Sequence, residues 1–238
     1  MVAVDAGTMR AFEKAYPRPI VTVWRSPISD MLQVTHLSLV DKRFKYDPIF
    51  GYGYMFIFNM LLEKYPDKLI DASIAALDLN PQTVRSDEIE VAKWLEGKTE
   101  ADILAAPNNA GDGRLNQVFA DIKANDEYLH TRSANLGFLA MMDIVGCKAD
   151  GETLDRWSEA LGLRKRNIER DAVLLKEIRE KMSQALQMIK SLEIREKKRL
   201  ADQLEKKAKE AQEKAEGAAT AETASLDTTE GGADAAVA

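Results

Sequence analysis

Cysteine occurs once in 238 residues, at Cys147, so no intramolecular disulfide can staple this chain. Cys147 follows the apolar run from Leu136 to Val145 and has only Lys148 as a cationic neighbour in sequence. It reads as a small thiol at or near the core, with nothing in view to activate it as a nucleophile. Histidine is almost as scarce. His36 and His130 stand far apart, and no pair of His, Cys or carboxylate residues has the i, i+3 or i, i+4 spacing of a metal motif. His36 falls on the apolar side of an early helix and His130 directly precedes a helix start, so both read as structural residues. The chain is expected to hold no metal and no cofactor.

Glycine-rich phosphate loops are also missing. Gly51-x-Gly53 and Gly111-x-Gly113 lack the third glycine and the preceding strand of a dinucleotide fingerprint, and neither a phosphate-binding loop nor a Gly-x-Ser-x-Gly elbow occurs. Counting a calcium loop from Asn108 puts Ala110 and Phe119 where oxygen ligands belong. These absences predict a protein without catalytic residues. Long apolar stretches are lacking as well: the run from Ile49 to Leu62 is broken by Gly51, Gly53 and Asn59, and it falls short of the roughly 20 residues that cross a bilayer core. Met1 to Thr8 carries neither a basic amphipathic stretch nor an apolar core, so no signal or transit peptide is expected there. With 33 Lys+Arg against 39 Asp+Glu, the net charge of -6 disfavours general nucleic-acid binding.

What is present is helical patterning. The chain is 45% hydrophobic, enough for a core without metal or disulfide. Ser26-Pro27 and Asp47-Pro48 are cap-plus-proline signals. After the first, Ile28, Met31, Leu32, Thr35, His36 and Leu39 share a face. After the second, Phe50, Tyr54, Ile57, Phe58, Leu61 and Leu62 form a wide apolar face that stops before Tyr65-Pro66. Gly51 and Gly53 in that helix predict close approach of another helix backbone. Further helices are expected around Leu69–Leu77, Ile89–Leu95, Leu115–Ile122, Leu136–Val145 and Leu154–Leu161. Pro107 to Gly113 is expected to be an exposed loop.

From Arg166 to Glu216 there is neither proline nor glycine, which predicts one helix of roughly 50 residues, about 75 Å long. Leu175, Ile178, Met182, Ala185, Ile189 and Leu192 make a heptad-like seam. Beyond it, over residues 193–216, Leu200 and Leu204 are the only large apolar groups after Ile194. The predicted fold is all-α. It comprises a flexible N-terminus over 1–9, a compact helical body over 10–165, and a helix over 166–216 packed to about 192 and protruding beyond. An acidic disordered tail follows over 217–238.

The residues also resemble a known family. Phe12-x-Lys14-Ala15-Tyr16-x-Arg18-Pro19-Ile20, Tyr46-Asp47-Pro48-x-Phe50-x-x-Gly53 and Tyr65-Pro66 come in the order and spacing of the thylakoid formation family of photosystem II biogenesis proteins. Ala75-Ala76-Leu77-x-x-Asn80-Pro81 with Arg85 and Trp94, Arg132 with Leu136-Gly137, Arg170-Asp171, and Glu196-Lys197-Lys198 extend the match over roughly residues 10 to 200. The chain departs from the family where His130-Thr131-Arg132 stands in place of the common Tyr-Ser-Arg.

The resemblance implies a helical auxiliary protein on the stromal or cytoplasmic side of thylakoids. Such a protein associates with membrane FtsH-type proteases and with photosystem II assembly intermediates, and makes peripheral membrane contact. Tyr16, Arg18, Arg132, Arg195, Lys197, Lys198 and Arg199 are the candidate partner-binding residues. For Arg18 and Arg132 a buried salt bridge or carbonyl clamp remains the alternative, and for Tyr46-Asp47-Pro48 a helix cap. A second overall reading is a self-associating helical structural protein built on the Leu175–Leu192 seam.

Overall fold

A computed structural model describes residues 4–20, 22–61 and 67–226, and every regular element among them is a helix. In chain order these are α1 (Val4–Ala15), α2 (Thr22–Leu39), α3 (Pro48–Leu61), α4 (Asp67–Ala75), α5 (Pro81–Leu95), α6 (Glu100–Ala105), a 3-10 segment (Ala106–Asp112), α7 (Arg114–Ala124), α8 (Arg132–Ile144), α9 (Gly151–Leu161) and α10 (Lys165–Leu226). The starts follow side-chain chemistry. Asp47 Oδ1 accepts from the Phe50 amide at 2.8 Å, Asn80 accepts from Gln82 and Thr83 ahead of Pro81, and Thr99 forms a reciprocal capping box with Asp102. At the other end, Gly162 adopts φ 71 and closes α9, a conformation that costs glycine no Cβ clash.

By its internal contacts the chain forms two units, Met1–Arg179 and Glu180–Ala238. In the first, α3 is the centre. It packs on α8 and α5; α1 packs on α4 and α2, α7 on α9, and α6 on α9. Phe50, Tyr54 and Phe58 are each at most 1% exposed. Phe50 stacks on Tyr54, the Tyr54 ring is tilted against Phe58, and Tyr54 donates to Ser73 Oγ at 3.1 Å. The α3–α8 crossing depends on paired glycines. A Cβ added to Gly53 would fall on the Ser133 carbonyl oxygen and within 2.9 Å of Gly137 Cα, and one added to Gly137 would come within 2.6 Å of the Ile49 carbonyl oxygen. The expected close approach at Gly53 is therefore backbone against backbone.

Four boundaries differ from those expected. Residues 4–9 belong to α1, where Thr8 is buried with its Oγ1 3.1 Å from His36 Nδ1, so this stretch is anchored to α2. α2 begins at Thr22 with Pro27 inside it. Pro27 is the sixth residue of this helix, past its first turn, where it removes the hydrogen bond to the Val23 carbonyl and its ring crowds that carbonyl. Pro107–Asp112 forms a 3-10 segment with Pro107 buried, not a wholly exposed loop. α10 continues through 217–226, where alanines carry the helix past Gly217; residues 227–238 and the Tyr65-Pro66 stop lie outside the described residues.

Within α10 the last fully buried side chains are Ile168, Asp171 and Leu175. Ile178 and Met182 are half-buried, while Met188 and Leu192 are 66% and 52% exposed. Burial thus ends well before residue 192. A seam flanked on both sides by Lys, Glu and Arg buries its apolar groups only where another helix covers them. The side chains of Ala185 and Ile189 lie outside the described residues.

Candidate functional site

Thr131 caps α8 by accepting from the Ala134 amide at 3.1 Å. That cap fixes the residues on either side of it, His130 and Arg132, at the mouth of a cleft. The cleft has a volume of about 310 Å³ and lies between the C-terminal half of α2, the segment before α8 and the first turns of α10. Val34, Leu37 and Leu129 give it an aliphatic wall, and Arg132 and Arg170 supply its cations.

Beneath the arginines lies Asp171, 0% exposed. Its Oδ2 accepts from Asn135 Nδ2 at 2.7 Å, and its Oδ1 lies 3.3 Å from Arg170 Nε and 3.8 Å from Arg132 Nε. The last distance makes an ion pair but no hydrogen bond. A buried carboxylate of this kind is held by its partners, and removing one leaves an uncompensated charge. Asp41, on the cleft's rim, is occupied by Arg43, whose Nε and Nη2 donate to it at 3.0 and 2.7 Å; this pairing holds the Asp41 carboxyl down at about 2.

His130 packs edge-on against Tyr128 at 4.9 Å between ring centroids. Burial pushes its pKa down to about 4, and the nearby Arg164 charge adds to the shift. The imidazole is neutral at physiological pH. Tyr128 in turn donates to Asp47 Oδ2 at 2.9 Å, tying the cleft to the cap of α3. Tyr46-Asp47-Pro48 is thus a cap and a buried network: Tyr46 donates to Asp87 at 2.8 Å, and Asp87 also receives Arg114 at 2.9 Å.

The other candidate residues lie elsewhere. Tyr16 is 8% exposed and stacks on Phe12 at 6.3 Å, so its ring is part of the core. Arg18 is exposed in the link between α1 and α2. Arg195, Lys197, Lys198 and Arg199 are exposed on α10, in the second unit. There the apolar groups Met188, Leu192, Ile194, Leu200 and Leu204 are all more than half exposed. Arg170 was not among the sequence-derived contact residues. Its signal was the Arg170-Asp171 dipeptide, which the fold brings to Arg132 from the far side of α9.

A family model described as "Thylakoid formation protein" matches residues 5–225. The chain belongs to the thylakoid formation protein family. Among its relatives is Protein THYLAKOID FORMATION 1, chloroplastic, of Arabidopsis thaliana, 26% identical over 201 residues that cover 81% of this chain and 66% of that protein. Protein Thf1 of Thermosynechococcus vestitus is 28% identical over 205 residues, covering 82% of this chain and 89% of its own. The solved structure of Psb29 at 1.55 Å superposes with a TM-score of 0.72 at 27% identity, over 84% of this chain and 99% of that one. No described helix of this thylakoid formation protein is long and apolar enough to cross a membrane. Nor do the described residues contain a group of three or more His, Cys, Asp or Glu arranged to hold a metal ion.

Proposed function

We propose that this family member is a non-enzymatic auxiliary protein on the stromal face of thylakoids, or their cytoplasmic side in a cyanobacterium. It supports photosystem II biogenesis and repair by binding and sustaining membrane FtsH-type proteases. The family membership motivates this reading, and one observation carries it: the apolar side chains of the second unit are left uncovered. Leu192, Leu200 and Leu204 are 52%, 55% and 68% exposed. At 100° per residue they lie within about 120° of one another around the helix. A helix face that buries nothing of its own is suited to a groove on a partner, while the surrounding Arg195, Lys197, Lys198 and Arg199 set encounter rate and register. The same cluster suits peripheral contact with anionic lipid, at about 1 kcal/mol per cation near the surface.

Affinity purification from solubilised thylakoids, with the full chain beside a truncation after Leu192, tests this. Retention of FtsH-type subunits by the full chain and their loss on truncation is the expected result. Retention by neither form would end the adaptor reading. Self-association is the competing use of the same uncovered face, and it predicts a dimer mass in light scattering of the purified chain.

A further inference from the structure

We propose that the cleft between α2, α8 and α10 captures the C-terminal carboxylate of a partner polypeptide on Arg132 and Arg170, with the partner's last side chain seated on Val34, Leu37 and Leu129. This site lies in the first unit and is independent of which protein the exposed part of α10 engages.

Charge comes first. Arg132 and Arg170 share a single buried counter-charge, Asp171. The one carboxylate that lines the cleft among the described residues, Asp41, is already matched by Arg43 in a two-bond pairing. His130 contributes no charge at neutral pH, because burial holds it neutral. The cleft therefore carries one uncompensated positive charge, which one carboxylate completes.

Hydrogen bonding agrees. Arg132 Nε is buried and finds no acceptor within hydrogen-bond distance among the described residues; His130 Nδ1 is likewise unpartnered, and Asn135 Oδ1, an acceptor beside Asp171, lacks a donor. Of the buried side-chain atoms left without a partner among the described residues, these belong to one corner; Ser158 Oγ is the remaining one. A native corner so under-satisfied calls for a functional reason. The nearest approach of Arg132 and of Arg170 to Asp171 is through Nε, and their side chains are 39% and 64% exposed. Both guanidinium groups line the cleft and are part-exposed, and each carries the planar fork that matches a carboxylate.

Size selects the occupant. A volume of 310 Å³ is at the low end for ligand pockets, too small for a docked helix or a run of several residues. A chain end fits, because it brings its carboxylate and an aliphatic side chain together in one compact unit. Leu37, 62% exposed, otherwise has no apolar cover.

The test uses the full chain and a fluorescent hexapeptide ending in Ala-Ala-Leu, once as the free acid and once as the amide. Fluorescence anisotropy at low salt is expected to show saturable binding of the acid, with the amide at least about tenfold weaker. Arg170→Gln and, separately, Leu37→Glu are expected to abolish binding of the acid. Leu37 is more than half exposed, so Leu37→Glu retains the parent circular dichroism spectrum; Arg170→Gln also removes a partner of Asp171 and is compared below its own melting midpoint. Equal binding of acid and amide, no binding of the acid up to about 1 mM, or undiminished binding by both variants would overturn the proposal. Capture of phosphatidylglycerol vesicles through Arg170 without any binding of the free-acid peptide would also overturn it, by making the cleft a lipid site.

Discussion

Asp171 is the residue whose environment leaves least freedom. It is fully buried and held by one amide and two arginines. In Asp171→Ala the arginines lose their shared counter-charge and Asn135 loses its acceptor. The arginines left behind are part-exposed, so the expected cost is about 1–3 kcal/mol, mainly from the buried Asn135 amide left without its acceptor, read as a lower midpoint in urea unfolding at pH 7. Lys197→Ala, on an exposed helix face, is expected to shift stability by no more than about 0.5 kcal/mol in the same measurement. His130 adds a pH dependence of definite sign. Its folded pKa, about 4, lies below the ordinary 6.5, so between those values the unfolded chain binds a proton that the folded chain refuses. Stability contributed by this group is complete above pH 6.5, declines as pH falls through the window, and changes no further below about 4. Urea midpoints at pH 7 and pH 5 are expected to differ more for the parent than for His130→Asn. The imidazole resonances of His130 in NMR are expected to titrate near pH 4.

At the scale of elements, the α3–α8 pair controls the first unit. Gly53→Ala drives a methyl into the Ser133 carbonyl, which is backbone and cannot swing aside. The expected loss is about 3 kcal/mol or more, at the upper end for overpacking. Gly111→Ala, with nothing within 4 Å, is expected to leave thermal unfolding within a few degrees of the parent. Circular dichroism melts compare the two directly.

The same pair shows what was legible in the sequence. Pro48, the aromatic face of α3 and the glycine in its first turns spelled a central helix in close contact with another, because caps and periodicity are local signals. The partner glycine, Gly137, was visible only as part of a family motif, since the sequence alone does not say which helices meet. The cleft was less legible for the same reason. Arg132 was a candidate, but its neighbours Arg170 and Leu37 come from elements far away in sequence, and their convergence is a property of tertiary packing. Tyr16 illustrates the opposite: an aromatic in a linker motif suggested a contact residue, and packing on Phe12 placed it in the core. In α10 the heptad-like seam was real as a pattern, yet among the described side chains full burial ends at Leu175. A seam specifies only that something can cover it.

For the whole molecule, the all-α fold and the thylakoid formation family are established, and the proposed auxiliary role rests on the uncovered side chains of the second unit. That role predicts a separation of properties. Substitutions at Leu200 and Leu204 are expected to leave folding untouched and to remove partner binding, whereas substitutions at Gly53 act through stability alone. The most direct measurement is the affinity of the purified full chain for an isolated FtsH-type thylakoid protease in detergent, beside the double variant Leu200→Asp, Leu204→Asp. The account predicts saturable binding by the parent and at least about a tenfold loss in the variant, with identical circular dichroism melts. Equal affinity of the two, or no binding by the parent, would contradict it.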